Sequence, residues 1–141
     1  ENNQPCDSFH LSVECFYLDQ NFSFLCDEMT VIENLSHMNN ELSELEWRNL
    51  LGQLRIRGDK GIQLLSQLSG GEKLKVALLA LSQIKPAPEL LLLDEPENHL
   101  DIESRELLAN AIQSYEGAVL LVSHDQLFVE SSGIHESFSL M

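Results

Sequence analysis

Basic residues are scarce. Eight Lys and Arg stand against 23 Asp and Glu, a formal net charge of −15. A chain this acidic, with its few cations scattered, is a poor direct binder of nucleic-acid phosphates. Long apolar runs are missing too. The best candidates, residues 90–93 and 118–122, are strand-sized and far below the ~18 residues a membrane span needs. No basic, apolar leader opens the sequence, which starts at Glu1. Cys6, Cys15 and Cys26 form no Cys-x-x-Cys pair. An odd count without metal spacing points to reduced thiols and a cytoplasmic protein. No repeat or low-complexity tract interrupts the chain. What remains, 43% apolar and 22% charged residues over 141 positions, suffices for one core and argues against disorder.

From Phe9 the pattern alternates, with Phe9, Leu11, Val13, Cys15 and Tyr17 on one face, as in a half-buried strand. Asp19 and Gln20 close it. Residues 21–67 read as mainly helical. Asn40 is placed to cap a helix from Glu41 with Leu42, Leu45 and Leu50 on its stripe and Gly52 as its stop. Ser69-Gly70-Gly71-Glu72 has the capping-box pattern, and Leu74, Ala77, Leu78, Leu81 and Ile84 follow at helical spacing up to Pro86. Glu89–Asp94 is continuously apolar until its end, the mark of a central parallel strand. A helix over Asp101–Tyr115 buries Leu107, Leu108, Ala111, Ile112 and Tyr115. A strand over Ala118–Val122, a short helix over 125–132 and an edge strand over Ile134–Leu140 complete the order. Strands alternating with helices predict an α/β fold around a mostly parallel sheet.

In open parallel sheets, ligands sit at the C-terminal ends of the strands. Three strand ends here carry polar groups: Gln20, Asp94-Glu95 and His124. An amide, two carboxylates and an imidazole on one rim suit metal-assisted hydrolysis. Asp94 is a hard-oxygen ligand for Mg²⁺, and Glu95 can polarise a water for in-line attack on a phosphoryl group. Two acids leaving a strand for solvent is the competing reading. Ser69-Gly70-Gly71 opens a helix whose N–H groups and dipole can meet a phosphate, or is an ordinary capped start. His10, His37, His99 and His135 read as structural, and Trp47 as a packing residue.

Together these segments resemble one family. Leu68-Ser69-Gly70-Gly71-Glu72-Lys73 resembles the signature motif of ATP-binding cassette (ABC) ATPases. Leu90–Glu95 resembles their Walker B strand, Asn98–Asp101 their D-loop, Ser123-His124-Asp125 their switch-histidine loop, and Tyr17–Gln20 their Q-loop. The likeness runs from about residue 9 to 140. Residues 94–101 are most similar in wording to the F subgroup, soluble tandem-cassette proteins, many of which act on ribosomes. Glu97 stands where many members have Thr. The resemblance implies that Asp94 binds Mg²⁺ through water and that Glu95 activates the attacking water. Gln20 would sense Mg²⁺ and the γ-phosphate, and His124 would hold the γ-phosphate. Ser69, Gly70, Gly71 and Glu72 would cap the ATP of a second cassette, and Asp101 would couple the two sites.

One part of that family's pattern is absent from the sequence. A Walker A loop, Gly-x-x-x-x-Gly-Lys-Ser/Thr, cradles the phosphates, and none of Lys60, Lys73, Lys75 and Lys85 follows a glycine. The expected fold is therefore a partial P-loop (RecA-like) core plus the ABC helical subdomain. Residues 1–20 would supply a core strand and the Q-loop, 21–85 the helical subdomain, and 86–141 the rest of the core. The segment alone is expected to be inactive and prone to self-association. The competing functions are a transporter's ATPase subunit, a DNA-maintenance ATPase and a non-catalytic dimerising module. Only residues 21–67 separate Gln20 from Leu68, too few for the long coiled coil of DNA-maintenance ATPases.

Overall fold

In the computed structural model, which describes residues 14–56 and 58–134, the elements follow in chain order. They are β1 (Cys15–Asp19), α1 (Val31–Met38), α2 (Glu44–Gln53), α3 (Gly70–Ser82), β2 (Leu90–Asp94), α4 (Ile102–Ser114), β3 (Ala118–Val122) and α5 (Gln126–Ser131). Two short 3-10 turns, Gly58–Ile62 and Leu65–Gln67, lie between α2 and α3. The elements divide into two compact units: residues 21–88 form one, and the described residues on either side of them form the other.

In the second of these units, the strands make a parallel sheet ordered β1-β2-β3. Asp19 pairs with Asp94 and Asp94 with Val122, so the three strands end level. Gln20, Glu95 and Ser123 then begin three neighbouring loops on one rim. Leu91 and Leu93 of the central strand are buried, with Phe16 and Leu18 of β1. The alternation over residues 9–17 suggested the opposite face, that of Cys15 and Tyr17. The cause of the error is physical: a parallel strand is apolar on both faces, so period two cannot say which is the better covered. Phe9, Leu11 and Val13 lie outside the described residues. So does the edge strand expected over 134–140, apart from Ile134, which is in no strand. Cys26 is a free, exposed thiol, whereas Cys15 is disulfide-bonded. The expectation of reduced thiols fails for Cys15, because sequence spacing does not report spatial proximity.

Asp101 caps α4, accepting from Ser104 N at 2.8 Å, and Asp125 caps α5, accepting from Phe128 N at 3.1 Å. Leu108, Ala109 and Ile112 of α4 and Phe128 of α5 are buried. Leu107, Ala111 and Tyr115 are only half-buried.

The helical unit is organised by three capping boxes of one type. Thr30 with Glu33, Ser43 with Glu46, and Ser69 with Glu72 open α1, α2 and α3. Each side-chain oxygen takes one orphan N–H of the first turn, and each Glu returns the bond to the cap's own N–H. α2 thus starts behind Ser43 rather than Asn40. Three residues after Asn40 stands Ser43, which cannot return the bond as Glu46 does for Ser43. With that start the inward residues are Trp47 and Leu51, Leu45 is 68% exposed, and Gly52 falls inside the helix. In α3, Leu74 and Ala77 are buried as expected, with Val76, Leu79 and Ala80 also buried. Leu78, Leu81 and Ile84 are half-buried. This helix is covered around most of its circumference, so a single-stripe reading understates its burial.

Candidate active site

β2 delivers Asp94 and Glu95 to the rim of the sheet in two different ways. Asp94 ends the strand and stays exposed, its Oδ2 accepting from the Tyr17 hydroxyl at 2.9 Å. Burial, and next that bond to a carboxylate, push the Tyr17 phenol up to about 12. Glu95 leaves the strand in the left-handed region, φ 48°, a conformation that costs a non-glycine residue about 1–3 kcal/mol and is held only where the surroundings fix it. Its N–H donates to Val122 O at 2.7 Å, pinning the turn to the end of β3.

The Glu95 carboxylate is engaged through both oxygens. Oε1 accepts from Asn98 Nδ2 at 2.9 Å, and Oε2 lies 3.1 Å from His124 Nε2. The same Asn98 amide donates to Gln20 Oε1, also at 2.9 Å. An Asn NH₂ carries two hydrogens, and here one serves each acceptor. Gln20, Asn98, Glu95 and His124 thus form an unbroken chain along the rim, drawn from three strand ends. The His124 side chain is 89% exposed and that of Glu95 27% exposed, so the pair faces solvent where a phosphate could arrive.

Beneath this chain the turn is buried. Pro96 and Glu97 are inside, Glu97 at 2% exposure. Glu97 Oε2 accepts from Ser123 Oγ at 2.7 Å, and Ser123 Oγ accepts from Asp125 N at 3.0 Å. Arg105 of α4 donates through Nη1 to Asp125 Oδ2 at 2.6 Å and through Nε to Leu100 O at 3.3 Å. His99 also has a positive φ, 68°. Asp101 acts as the cap of α4, and the Ser104 N–H holds its carboxyl below the usual range.

The signature segment lies in the helical unit. Ser69 Oγ accepts from Glu72 N, and Ser69 N donates to Glu72 Oε1, both at 3.1 Å. Glu72 Oε2 also takes the Lys60 ammonium, which, ahead of the cap bonds, holds its carboxyl below the usual range. Lys73 reaches Asp27 at 3.5 Å. Gly70 is exposed and Gly71 half-buried at the helix mouth, where first-turn N–H groups remain open to an anion.

Of the residues singled out from sequence, Gln20, Asp94, Glu95 and His124 meet on one rim. Asp101 is at the start of α4, and Ser69, Gly70, Gly71 and Glu72 sit together at the start of α3. Sequence reasoning did not single out Asn98, Tyr17 and Glu97 as site groups, although each stands within a motif it had marked. Ser123 and Arg105 carried no signal beyond their neighbourhood. Among the described residues no group of three His, Cys, Asp or Glu could cage a metal ion. Mg²⁺ keeps several waters and is commonly held by only one or two protein oxygens. Asp94 and Gln20 offer hard oxygens of that kind.

Comparison with known proteins gives the family. Residues 29–130 match a family profile described as "AAA domain, putative AbiEii toxin, Type IV TA system". The ATP-binding protein Uup of Escherichia coli is 40% identical over 124 residues, 85% of this chain and 19% of Uup. Human ATP-binding cassette sub-family F member 3 is 36% identical over 121 residues, 85% of this chain and 17% of that protein. A crystal structure of archaeal ribosomal stalk protein aP1 with the archaeal ribosome recycling factor aABCE1 superposes with a TM-score of 0.61 at 30% identity, covering 87% of this chain and 24% of the other. The chain therefore spans about a fifth of the length of the curated relatives it matches. On these grounds the chain belongs to the AAA-domain family, and over most of its length it is similar to members of the F subgroup of ATP-binding cassette proteins.

Proposed function

We propose that this chain carries the Q-loop, signature, Walker B, D-loop and switch elements of one cassette, and that the longer parent hydrolyses MgATP between paired cassettes. The observation that carries the reading is the Glu95 carboxylate, held between His124 Nε2 at 3.1 Å and Asn98 Nδ2 at 2.9 Å. A carboxylate aimed from a strand end, half-buried and fixed on both sides, is built to take a proton from an attacking water. His124 presents an exposed imidazole to the γ-phosphate. Gln20, joined to Glu95 through Asn98, relates the Mg²⁺ side of the site to the water side. Asp94 and Gln20 would hold Mg²⁺, which when bound supplies charge neutralisation to the phosphates. Ser69, Gly70, Gly71 and Glu72 would close over the γ-phosphate of the other cassette, with Asp101 coupling the two sites.

The output is conformational work on a cytoplasmic partner, and the ribosome is the partner favoured here. The relationship to a ribosome recycling factor caught with a ribosomal stalk protein supports it. A transporter subunit is the second reading, since a metal-chelate type ABC transporter shares the fold at a TM-score of 0.60 and 17% identity. No helix among the described residues is long and apolar enough to cross a membrane. The test is steady-state ATPase of the purified parent and its Glu95→Gln variant. Loss of a general base predicts a fall of about 10²–10⁴-fold. Wild-type turnover in Glu95→Gln would remove Glu95 from this role. Co-sedimentation of the ATP-bound variant with ribosomes, against co-purification with a membrane protein, separates the two partners.

A further inference from the structure

Glu97 is a costly residue to bury. Its side chain is 2% exposed, and its Oε1 has no hydrogen-bond partner among the described residues. A polar atom withdrawn from water without a partner opposes folding. Its other oxygen makes one bond, from Ser123 Oγ at 2.7 Å. The Ser123 hydroxyl spends its one proton on that link and also accepts from the Asp125 amide at 3.0 Å.

The link has a direction. Ser123 and Asp125 flank His124, whose side chain is 89% exposed and has Glu95 as its ionic neighbour. An imidazole so exposed is not oriented by packing, so its position is set by the backbone that carries it. That backbone is tied on one side through Ser123 to Glu97, and through Val122 O to Glu95 N at 2.7 Å. On the other side it is tied through Asp125 to Arg105, which also grips Leu100 O. The turn that presents Glu95 and the loop that presents His124 are thereby fastened to each other below the catalytic pair.

We propose that Glu97 is a positioning residue for hydrolysis: through Ser123 it fixes the loop bearing His124 and so the approach of His124 to Glu95. It touches neither nucleotide nor water. The unpartnered oxygen is the cost of reaching Ser123 from inside the turn. This inference rests on the reading of Glu95 and His124 as the hydrolytic pair.

The test is made in the parent protein. Glu97→Ala lowers kcat about tenfold, because a misplaced catalytic group slows chemistry, and leaves KM for MgATP within twofold. Ser123→Ala does the same, and the double variant is no slower than either, as expected of two ends of one link. Glu97→Gln keeps an amide oxygen to accept from Ser123 and returns kcat to near wild type. A merely structural carboxylate gives a different result: Gln is as impaired as Ala, or the two alanine effects add, and either outcome overturns the proposal. Unchanged kcat in Ser123→Ala, which also serves if Glu97→Ala does not fold, overturns it as well. Glu95→Gln is the control for the underlying reading: wild-type turnover there removes the Glu95 assignment, not the link. In that event amide exchange in the parent protein decides. Faster exchange at Asp125 in Glu97→Ala, returned to the wild-type rate in Glu97→Gln, supports the fastening, and unchanged exchange in Glu97→Ala overturns it.

Discussion

The Tyr17 hydroxyl donates to Asp94 Oδ2 at 2.9 Å, across neighbouring parallel strands whose ends are in register. The bond does two things. It orients the carboxylate expected to serve Mg²⁺, and, second to burial, it helps raise the Tyr17 phenol from 10.0 to about 12. Because the folded value is raised, the stability it supplies is fully present below pH 10 and is lost as pH rises toward 12. Tyr17→Phe is expected to lower stability by about 1 kcal/mol at neutral pH, the net worth of one such bond, with the deficit shrinking above pH 10. Phenolate absorbance compared between wild type and Tyr17→Phe checks it: the difference should titrate near 12. A difference transition near 10 would show that neither the burial nor the bond to Asp94 holds in solution.

The helical unit offers a second test in the ion pair between Lys60 and Glu72. Glu72 is held below its usual 4.5, first by Lys60 and then by the Ser69 cap, against burial. With a lowered folded value, the contribution is present above pH 4.5 and fades as pH falls through the folded pKa. The Glu72 side chain is 24% exposed and that of Lys60 43%, so solvent screens the pair and its worth is about 0.5 kcal/mol. Lys60→Met should show that deficit in urea unfolding at pH 7 and lose it in the acid range below 4.5. A deficit that persists unchanged there would assign the effect to packing instead.

How far the sequence spoke for itself varies with the kind of signal. Ser69 and Glu72 announced α3 by their spacing, and Asp94-Glu95 after four leucines announced the end of the central strand. The same capping pattern stands at Thr30–Glu33 and Ser43–Glu46, and α2 starts at Ser43 because Glu46 can return the bond, which Ser43 cannot do for Asn40. The inward face of β1 was not legible, because Cys15 through Leu18 is apolar on both sides. The amide bridge by Asn98 and the link from Ser123 to Glu97 were not legible either. They depend on the register of β2 with β1 and with β3, a long-range quantity that no local pattern encodes.

Asn34 is another residue whose role only the fold reveals. It is 4% exposed. Its Oδ1 accepts from Cys26 N at 2.7 Å, and its Nδ2 donates to Cys26 O at 2.9 Å and Thr30 O at 3.0 Å. An amide is needed to serve both a donor and acceptors of the loop before α1. Asn34→Leu leaves those backbone groups without their side-chain partner and is expected to cost about 2–4 kcal/mol. Asn34→Asp keeps the bond from Cys26 N and loses the donor, so it should fall between. Thermal or urea unfolding of both variants gives the ordering, and a neutral Asn34→Leu would show that the loop finds other partners.

Trp47 is the single tryptophan and is fully buried, with Leu51 one turn on. Its indole Nε1 has no hydrogen-bond partner among the described residues, so its value is in packing alone. Trp47→Ala should destabilise the helical unit by about 3–5 kcal/mol, the usual range for emptying an aromatic core site. Trp47→Phe should cost less, because it removes the orphan N–H along with some volume. Tryptophan emission of the wild type should be blue-shifted and move to the red in one step as urea unfolds the unit. A red-shifted native spectrum would contradict the burial.

The last prediction concerns nucleotide binding by the 141-residue chain itself. The residues that meet on the rim, Gln20, Asp94, Glu95 and His124, are proposed to serve the γ-phosphate end of a nucleotide, and they include two carboxylates and no lysine or arginine. The formal net charge is −15, which repels a polyphosphate. The phosphate cradle of this family needs a lysine following a glycine-rich loop, and Lys60, Lys73, Lys75 and Lys85 are preceded by Asp59, Glu72, Leu74 and Ile84. Lys60 and Lys73 are moreover committed to Glu72 and Asp27. Isothermal titration of the chain with MgATP should therefore show no micromolar binding, and adding the parent's upstream residues should restore it. Micromolar affinity in the chain alone would mean that the open N–H groups at Gly70 and Gly71 hold phosphate unaided.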